Sequence, residues 1–285
     1  MLNIIESIVD YKIKSNIKYQ MAMITKKIIK KIGLNVHLLH DRAYSYWKVR
    51  EAGLALREPL TAQERPFFLQ FYPYLQGNNL VVFDIGASTG TLCGCLAKIS
   101  TVSRVDAFEP IPSVFKRLSE RVERYPQVVC HNVGLGDSNS KMEMLIMDQD
   151  LATSSFLTMD EIHKQEFSGA CESHKETLTV VKLDDYVLEN NLPVPHLVKM
   201  DVQGFEEKVI EGGIATICKA KLCSLEMSLE QLYIGSPLFD DIYQLMKKLG
   251  FRLIGLDSLL KGKSGKTLVV DGIFQNEELI NNSGL

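Results

Sequence analysis

One stretch limits the fold more than any other: the apolar run Leu80-Val81-Val82-Phe83-Asp84-Ile85 breaks into Gly86-Ala87-Ser88-Thr89-Gly90 and then resumes with helical spacing. An extended segment that turns at glycines and opens a helix is the first unit of a sheet covered by helices. Glycine at 86 and 90 lets backbone approach a ligand without a Cβ between them, and the amides that begin the next helix face polar ligand atoms. A second strand-like run, Ser103 to Phe108, ends in Glu109-Pro110. That places a carboxylate about 20 residues beyond the turn, where doubly wound folds hold a ribose hydroxyl.

The spacing of the turn selects among nucleoside cofactors. A dinucleotide needs Gly-x-Gly-x-x-Gly to cradle its pyrophosphate, whereas this turn reads Asp84-Ile-Gly86-Ala-Ser-Thr-Gly90. An NAD-dependent oxidoreductase is therefore disfavoured. Asp84 would repel a pyrophosphate but suits an amino group or a sulfonium, which points to S-adenosylmethionine. The expected cofactor-binding set is Asp84, Gly86, Ala87, Ser88, Gly90, Glu109 and Pro110, joined by Asn132 and Asp137 beyond the third strand.

A chain of 285 residues with 46% hydrophobic content can build one large α/β domain and an appendage. Its net charge of −3 provides no field that would recruit nucleic acid. Six scattered cysteines, several within apolar runs, read as buried thiols of a reduced, cytoplasmic protein, and Cys93-x-Cys95 lacks the spacing of a zinc site. Charged residues interrupt every apolar stretch near the start, so neither a signal peptide nor a membrane span is expected. There, Ile13, Ile17, Met21, Ile24 and Ile28 form one helical stripe flanked by Lys14, Lys18, Lys27, Lys30 and Lys31. Such a helix can pack on the body of the protein, join a second subunit in a homodimer or make peripheral contact with an anionic membrane.

Residues 1–76 are accordingly expected to form a helical extension and residues 77–285 the cofactor domain. Strands are expected near 80–85, 103–108 and 127–133, with helices at 89–99 and 112–123. Alternation fails between 137 and 186, where short β-like runs bracket a polar stretch, Asp148 to Glu176, expected to act as a substrate lid. It resumes with a strand ending at Asp201, a helix near 204–217, a strand at 221–227, a helix at 237–249 and a closing hairpin from 251–256 and 267–274. The expected class is α/β: a Rossmann-like seven-stranded sheet, mostly parallel, with an antiparallel closing hairpin.

These residues resemble the FkbM family of S-adenosylmethionine-dependent methyltransferases. The likeness rests on Phe83-Asp84-Ile-Gly86-Ala-Ser-Thr-Gly90, Phe108-Glu109-Pro110, Asn132-Val-Gly-Leu-Gly136-Asp137, Leu183-Asp184-Asp185-Tyr186, Lys199-Met-Asp201-Val-Gln-Gly204-Phe-Glu206 and Glu211-Gly212-Gly213. It covers roughly residues 78–275 and implies O-methylation, often of sugar hydroxyls or polyketide-type products. The family commonly has Glu-Gly where this chain has Gln203-Gly204, and often Asn where it has Ser88. Both changes keep a hydrogen-bonding side chain, so altered tuning is expected rather than lost activity.

A hydroxyl acceptor must lose its proton as the methyl group arrives, and a carboxylate in reach can take it. Asp201 is the expected base because it ends a strand at the carboxyl edge of the sheet; capping the next helix is its alternative role. Glu226, at the next strand end, is expected to contact the acceptor. Lys199 lies two residues before Asp201 and so shares its face. His131 reads equally as packed or catalytic. Asp184, Asp185 and Asp201 could bind Mg²⁺, but the first two also read as a helix start without metal. A small-molecule or glycan acceptor is the expected partner. Methylation at nitrogen and a non-catalytic, cofactor-binding scaffold are the alternatives.

Overall fold

A computed structural model describes residues 53–147, 151–167 and 173–281. The apolar stripe at 13–28 lies outside them. The described elements are α1 (Arg65–Phe71), β1 (Leu80–Ile85), α2 (Thr91–Ala97), β2 (Val102–Phe108), α3 (Pro112–Val122), β3 (Val128–His131), β4 (Gly134–Gly136), β5 (Ser140–Met147), α4 (Glu161–Glu166), β6 (Ser173–Lys182) and α5 (Leu183–Glu189). They continue with β7 (Leu197–Met200), α6 (Glu206–Gly212), α7 (Ile214–Ile217), β8 (Leu222–Ser228), α8 (Phe239–Lys248), β9 (Phe251–Lys261), β10 (Thr267–Asn276) and α9 (Glu277–Asn281).

Seven strands form one sheet in the order β3-β2-β1-β7-β8-β10-β9. The first five are parallel, whereas β10 runs antiparallel to both β8 and β9 and so closes the sheet as a hairpin. From β1 the chain winds outward through β2 and β3, then returns to place β7 on the other side of β1. The carboxyl ends of β1 and β7 are therefore the switch point, where open α/β sheets leave a crevice.

Every residue of β1 is buried, as a strand covered on both faces requires. Val81, Phe83 and Ile85 join Val198 and Met200 in a core completed by Val209 and Ile210 of α6 and Ile242 and Met246 of α8. Asp84 faces the opposite way, toward Cys93 of α2.

The compact unit runs from Ala52 to Leu285, so residues 53–76, grouped by sequence with the extension, pack with the sheet. Two latches hold them. Arg57 donates to the carbonyls of Ala97, Ile99, Ser100 and Val102, the last turn of α2 and the entry to β2. Lys98, 2% exposed, pairs with Glu64 at 2.7 Å. Removing one member of such a buried pair strands the other's charge.

The helix expected over 204–217 is broken into α6 and α7. A Cβ at Gly212 would strike the Gly136 carbonyl, and one at Gly213 would press on Leu183. Close docking on β4 and α5 thus interrupts the helix. The β-like runs before and after the polar stretch form a second sheet, β4-β6-β5, that sequence periodicity did not reveal as separate.

Gly86, at φ +77°, is required for a reason other than ligand approach. A Cβ there would fall inside the carbonyl of Asp201, so the glycine lets the ends of β1 and β7 close on each other. Gly86→Ala is expected to lower unfolding free energy by about 2 kcal/mol or more in urea titration. Gly235→Ala, also at positive φ but with open space around it, should cost only the backbone strain of about 1 kcal/mol.

Candidate active site

A cleft opens at the switch point. Gly86 and Ser88 line it from the β1 turn, Glu109 and Pro110 from the end of β2, Val133 to Leu135 from the chain entering β4, and Asp201 to Gln203 from the end of β7. Phe108, Ile111, Val114, Met144 and Phe156 give it an apolar wall. Glu109 and Asp201 thus reach one cavity although 92 residues of sequence separate them.

Glu109 is 5% exposed. Its two carboxylate oxygens accept hydrogen bonds from the Ser88 amide at 3.0 Å and the Ile111 amide at 2.9 Å. Burial pushes its pKa up to about 7 against those two amides, with a smaller push from Asp84. Each oxygen keeps a second lone pair for a ligand hydroxyl.

Asp84 sits behind the turn rather than in the cleft lining. One oxygen accepts from the Cys93 thiol at 3.0 Å, while Oδ1 is buried without a hydrogen-bond partner, 3.8 Å from the Lys199 ammonium. Burial raises its pKa, and Lys199 works against that rise. Lys199 bonds Asp201 more closely, at 3.2 Å. Burial disfavours the Lys199 charge, but Asp201, Asp84 and Asp271 together outweigh it and hold its pKa above the ordinary value.

Asp201 keeps 37% of its side chain exposed. Its second oxygen accepts from the Gln203 amide at 2.8 Å, and the same amide nitrogen reaches Glu226 at 3.0 Å. Glu226 lies across from Asp271 of β10, which in turn lies across from Asp257 of β9. Burial and the nearby Asp201, Glu206 and Asp271 carboxylates push Glu226 well above the usual carboxylate range. Asp271 is raised by burial too, although Gln70 donates to it at 2.8 Å.

The remaining expected residues go elsewhere. Ala87 is buried in the turn, and its amide bonds the Phe108 carbonyl. Gly90, in the left-handed region, makes room for Leu118 of α3. Asn132 spends its amide hydrogens on the carbonyls of Glu109 and Pro110 and so shapes the β2 exit. Asp137 pairs with Lys208 of α6 at 3.0 Å, outside the cleft lining. His131 is a packed residue: it bonds Asp106 and Tyr186 and stacks on Phe108.

Glu206 turns back to accept from the amides of Val202 and Gly204, with its pKa pushed up to about 7 by burial. Asp184 caps α7 through the amides of Ala215 and Thr216, and Asp185 accepts from Asn139. They do not join Asp201; no group of three or more metal-ligating side chains with a suitable arrangement occurs among the described residues. Sequence reasoning missed the Tyr233 hydroxyl, which bonds Gln203, and Asp271. Only the second left a signal, an acid inside the apolar run Leu268-Val-Val-Asp271-Gly-Ile-Phe274.

A sheet of this order with a nucleoside crevice at its switch point defines the class of S-adenosylmethionine-dependent methyltransferases. Within that class the chain belongs to the FkbM methyltransferase family, whose domain matches residues 84–253, more than half of its length. It is 24% identical over 193 residues to the 2-O-methyltransferase NoeI of Sinorhizobium fredii, covering 66% of this chain and 79% of that protein. It is 31% identical over 134 residues to the hexuronic acid methyltransferase AglP of Haloferax volcanii, covering 46% of this chain and about half, 49%, of that one. Among solved structures, the fibrillarin pre-rRNA processing protein of Methanococcus jannaschii matches 71% of this chain and 68% of its own at 14% identity, with a TM-score of 0.44.

The residues present suit the cofactor. The apolar wall offers a surface for an adenine ring, Glu109 keeps acceptor capacity for a ribose diol, and Asp84 Oδ1 is an orphaned buried acceptor behind the turn. Hydroxyl donors favour ionised Glu109, so binding should release a proton near pH 7. Affinity for S-adenosylhomocysteine is expected to rise between pH 6 and 8 and then level off, as read by calorimetry. Glu109→Gln should flatten that dependence and weaken binding about tenfold or more.

Proposed function

We propose that the protein methylates a hydroxyl of an uncharged sugar, in a glycan or a glycosylated small molecule. The observation that carries this reading is Asp201: it lines the cofactor cleft, remains accessible and is held from both sides by Lys199 and Gln203. When bound, S-adenosylmethionine supplies an electrophilic methyl group. Asp201 accepts the hydroxyl proton as the acceptor oxygen loses it, and Lys199 balances the carboxylate's charge beforehand. Glu226, near the end of β8 and tied to Asp201 through Gln203, orients the acceptor.

Sugar acceptors are supported by the names of the two relatives, a 2-O-methyltransferase and a hexuronic acid methyltransferase. The charge on the acceptor is argued from this chain. Asp201 follows the end of β7, and Glu226, Asp271 and Asp257 follow one another across adjacent strand positions, about 5 Å apart. A polyol can donate its hydroxyls to those carboxyl oxygens, whereas a uronate would meet the Asp201 carboxylate.

We also infer a reducing, cytoplasmic setting. The five described cysteines are free, three of them buried. No helix among the described residues is long and apolar enough to cross a membrane. The basic stripe at 13–28 is read as packing on the body of the protein or on a second copy, with contact to an anionic membrane surface as the alternative.

Product mass from a panel of neutral and uronate-bearing glycosides tests the assignment, with transfer expected to the neutral set; transfer confined to uronates would overturn the charge reading. Asp201→Asn should keep S-adenosylhomocysteine affinity within about threefold and lower kcat by about 10²–10⁴. Unchanged turnover would remove Asp201 from the chemistry.

A further inference from the structure

We propose that Gln203 is the positioning residue of the reaction: its side-chain amide bridges the two acceptor-side carboxylates and ties them to the loop that carries Tyr233. This rests on the assignment of Asp201 as the base.

The Gln203 amide nitrogen lies 2.8 Å from Asp201 Oδ1 and 3.0 Å from Glu226 Oε2. Two hydrogens thus meet two acceptors on neighbouring strand ends. The orientation of the amide is not arbitrary. Its oxygen lies 2.8 Å from the Tyr233 hydroxyl, which can donate, while its nitrogen faces the carboxyl oxygens of Asp201 and Glu226. A reversed amide would set oxygen against both carboxylates.

The backbone is held as well. Gln203 sits at φ +55°, a conformation that a side chain other than glycine adopts at a cost. The Ser155 hydroxyl donates to its carbonyl at 2.7 Å. Gly204, at φ +90°, leaves no room for a Cβ against Ser236 and Tyr233. Three segments converge on one residue: the end of β7, the chain at 153–157 and the chain at 232–236. Tyr233 also reaches the Thr153 carbonyl at 3.1 Å, which links the last two.

Charge explains why an amide occupies this point. The groups around it are Asp201 and Lys199 on β7, Asp84 on β1, Glu226 on β8, Asp271 on β10, Glu206 on α6 and the Tyr233 phenol. Lys199 is the cation among them, and it is already engaged by Asp201 and Asp84. A neutral double donor holds Asp201 and Glu226 at one separation without adding charge. It fixes where the base points when an acceptor arrives, and movement of the Tyr233 loop would be felt at Asp201.

Gln203→Met keeps the length and removes the amide. It is expected to lower kcat about tenfold across the pH range, with KM for S-adenosylmethionine and melting temperature little changed. Gln203→Glu adds a negative charge beside Asp201 and Glu226, which makes their protonation easier. The acidic limb of kcat/KM should therefore move up by about one pH unit, with turnover recovering at higher pH. Tyr233→Phe frees the amide oxygen and should lower kcat about threefold while leaving the limb in place. A fall in melting temperature with kcat and the limb unchanged would mean that Gln203 is only structural, and would overturn the proposal.

A second readout needs no acceptor. Carboxyl carbon-13 NMR of wild type and Gln203→Glu should show Glu226 titrating at higher pH in the variant. If wild type methylates no sugar, the function proposed above fails, yet that shift would still support the bridge. Superimposable titrations would overturn it.

Discussion

A buried ammonium makes the chemistry-bearing face of this sheet possible. Lys199 lies opposite Asp84 in the β1–β7 register and two residues before Asp201, so one side chain stands between two carboxylates on adjacent strands. Remove its charge and Asp84, 1% exposed, is left with an orphaned oxygen in an interior that cannot solvate it. One cation does not neutralise Asp84, Asp201, Glu226 and Asp271 together. Burial and neighbouring carboxylates offset part of that charge by raising the pKa values of Asp84, Glu226 and Asp271.

That face depends on a steric constraint one residue away. The backbone of Gly86 lies where a side chain would enter the Asp201 carbonyl. The closeness of the β1 and β7 ends sets the width of the crevice, and it also sets the reach from Lys199 to both acids. The glycine turn is therefore less a cradle for a ligand than a joint between strands. Its ligand-facing atoms are those of Gly86 and Ser88, with Glu109 pinned to the Ser88 amide across the gap.

Strands and cofactor side were legible in the sequence because they obey local rules. An apolar run that stops at glycine can be little else than a buried strand, and β1 begins and ends where its pattern does. An acid at the end of the second strand is bound to face the crevice, and Glu109 does. Side-chain direction beyond a strand end follows no such rule. Asn132 and Asp137 flank the chain that lines the cleft, yet the first turns to the β2 exit and the second to Lys208. The three-residue β4 is too short to show any period, so the small sheet stayed hidden. Tyr233 belongs to a loop, and only the paired chain at 158–160 carries it to Gln203.

The polar stretch and Asp201 lie far apart in sequence, yet a hydrogen-bond path joins them. The Tyr233 loop pairs with the polar stretch through the Ile234 amide and the Thr158 carbonyl at 2.8 Å, and through the Asp160 amide and the Leu232 carbonyl at 2.9 Å. From Tyr233 the path runs to Gln203 and on to Asp201. A neutral amide at 203 makes this junction without adding charge to the row, so the glutamate common in the family at this position would tune the same contacts differently.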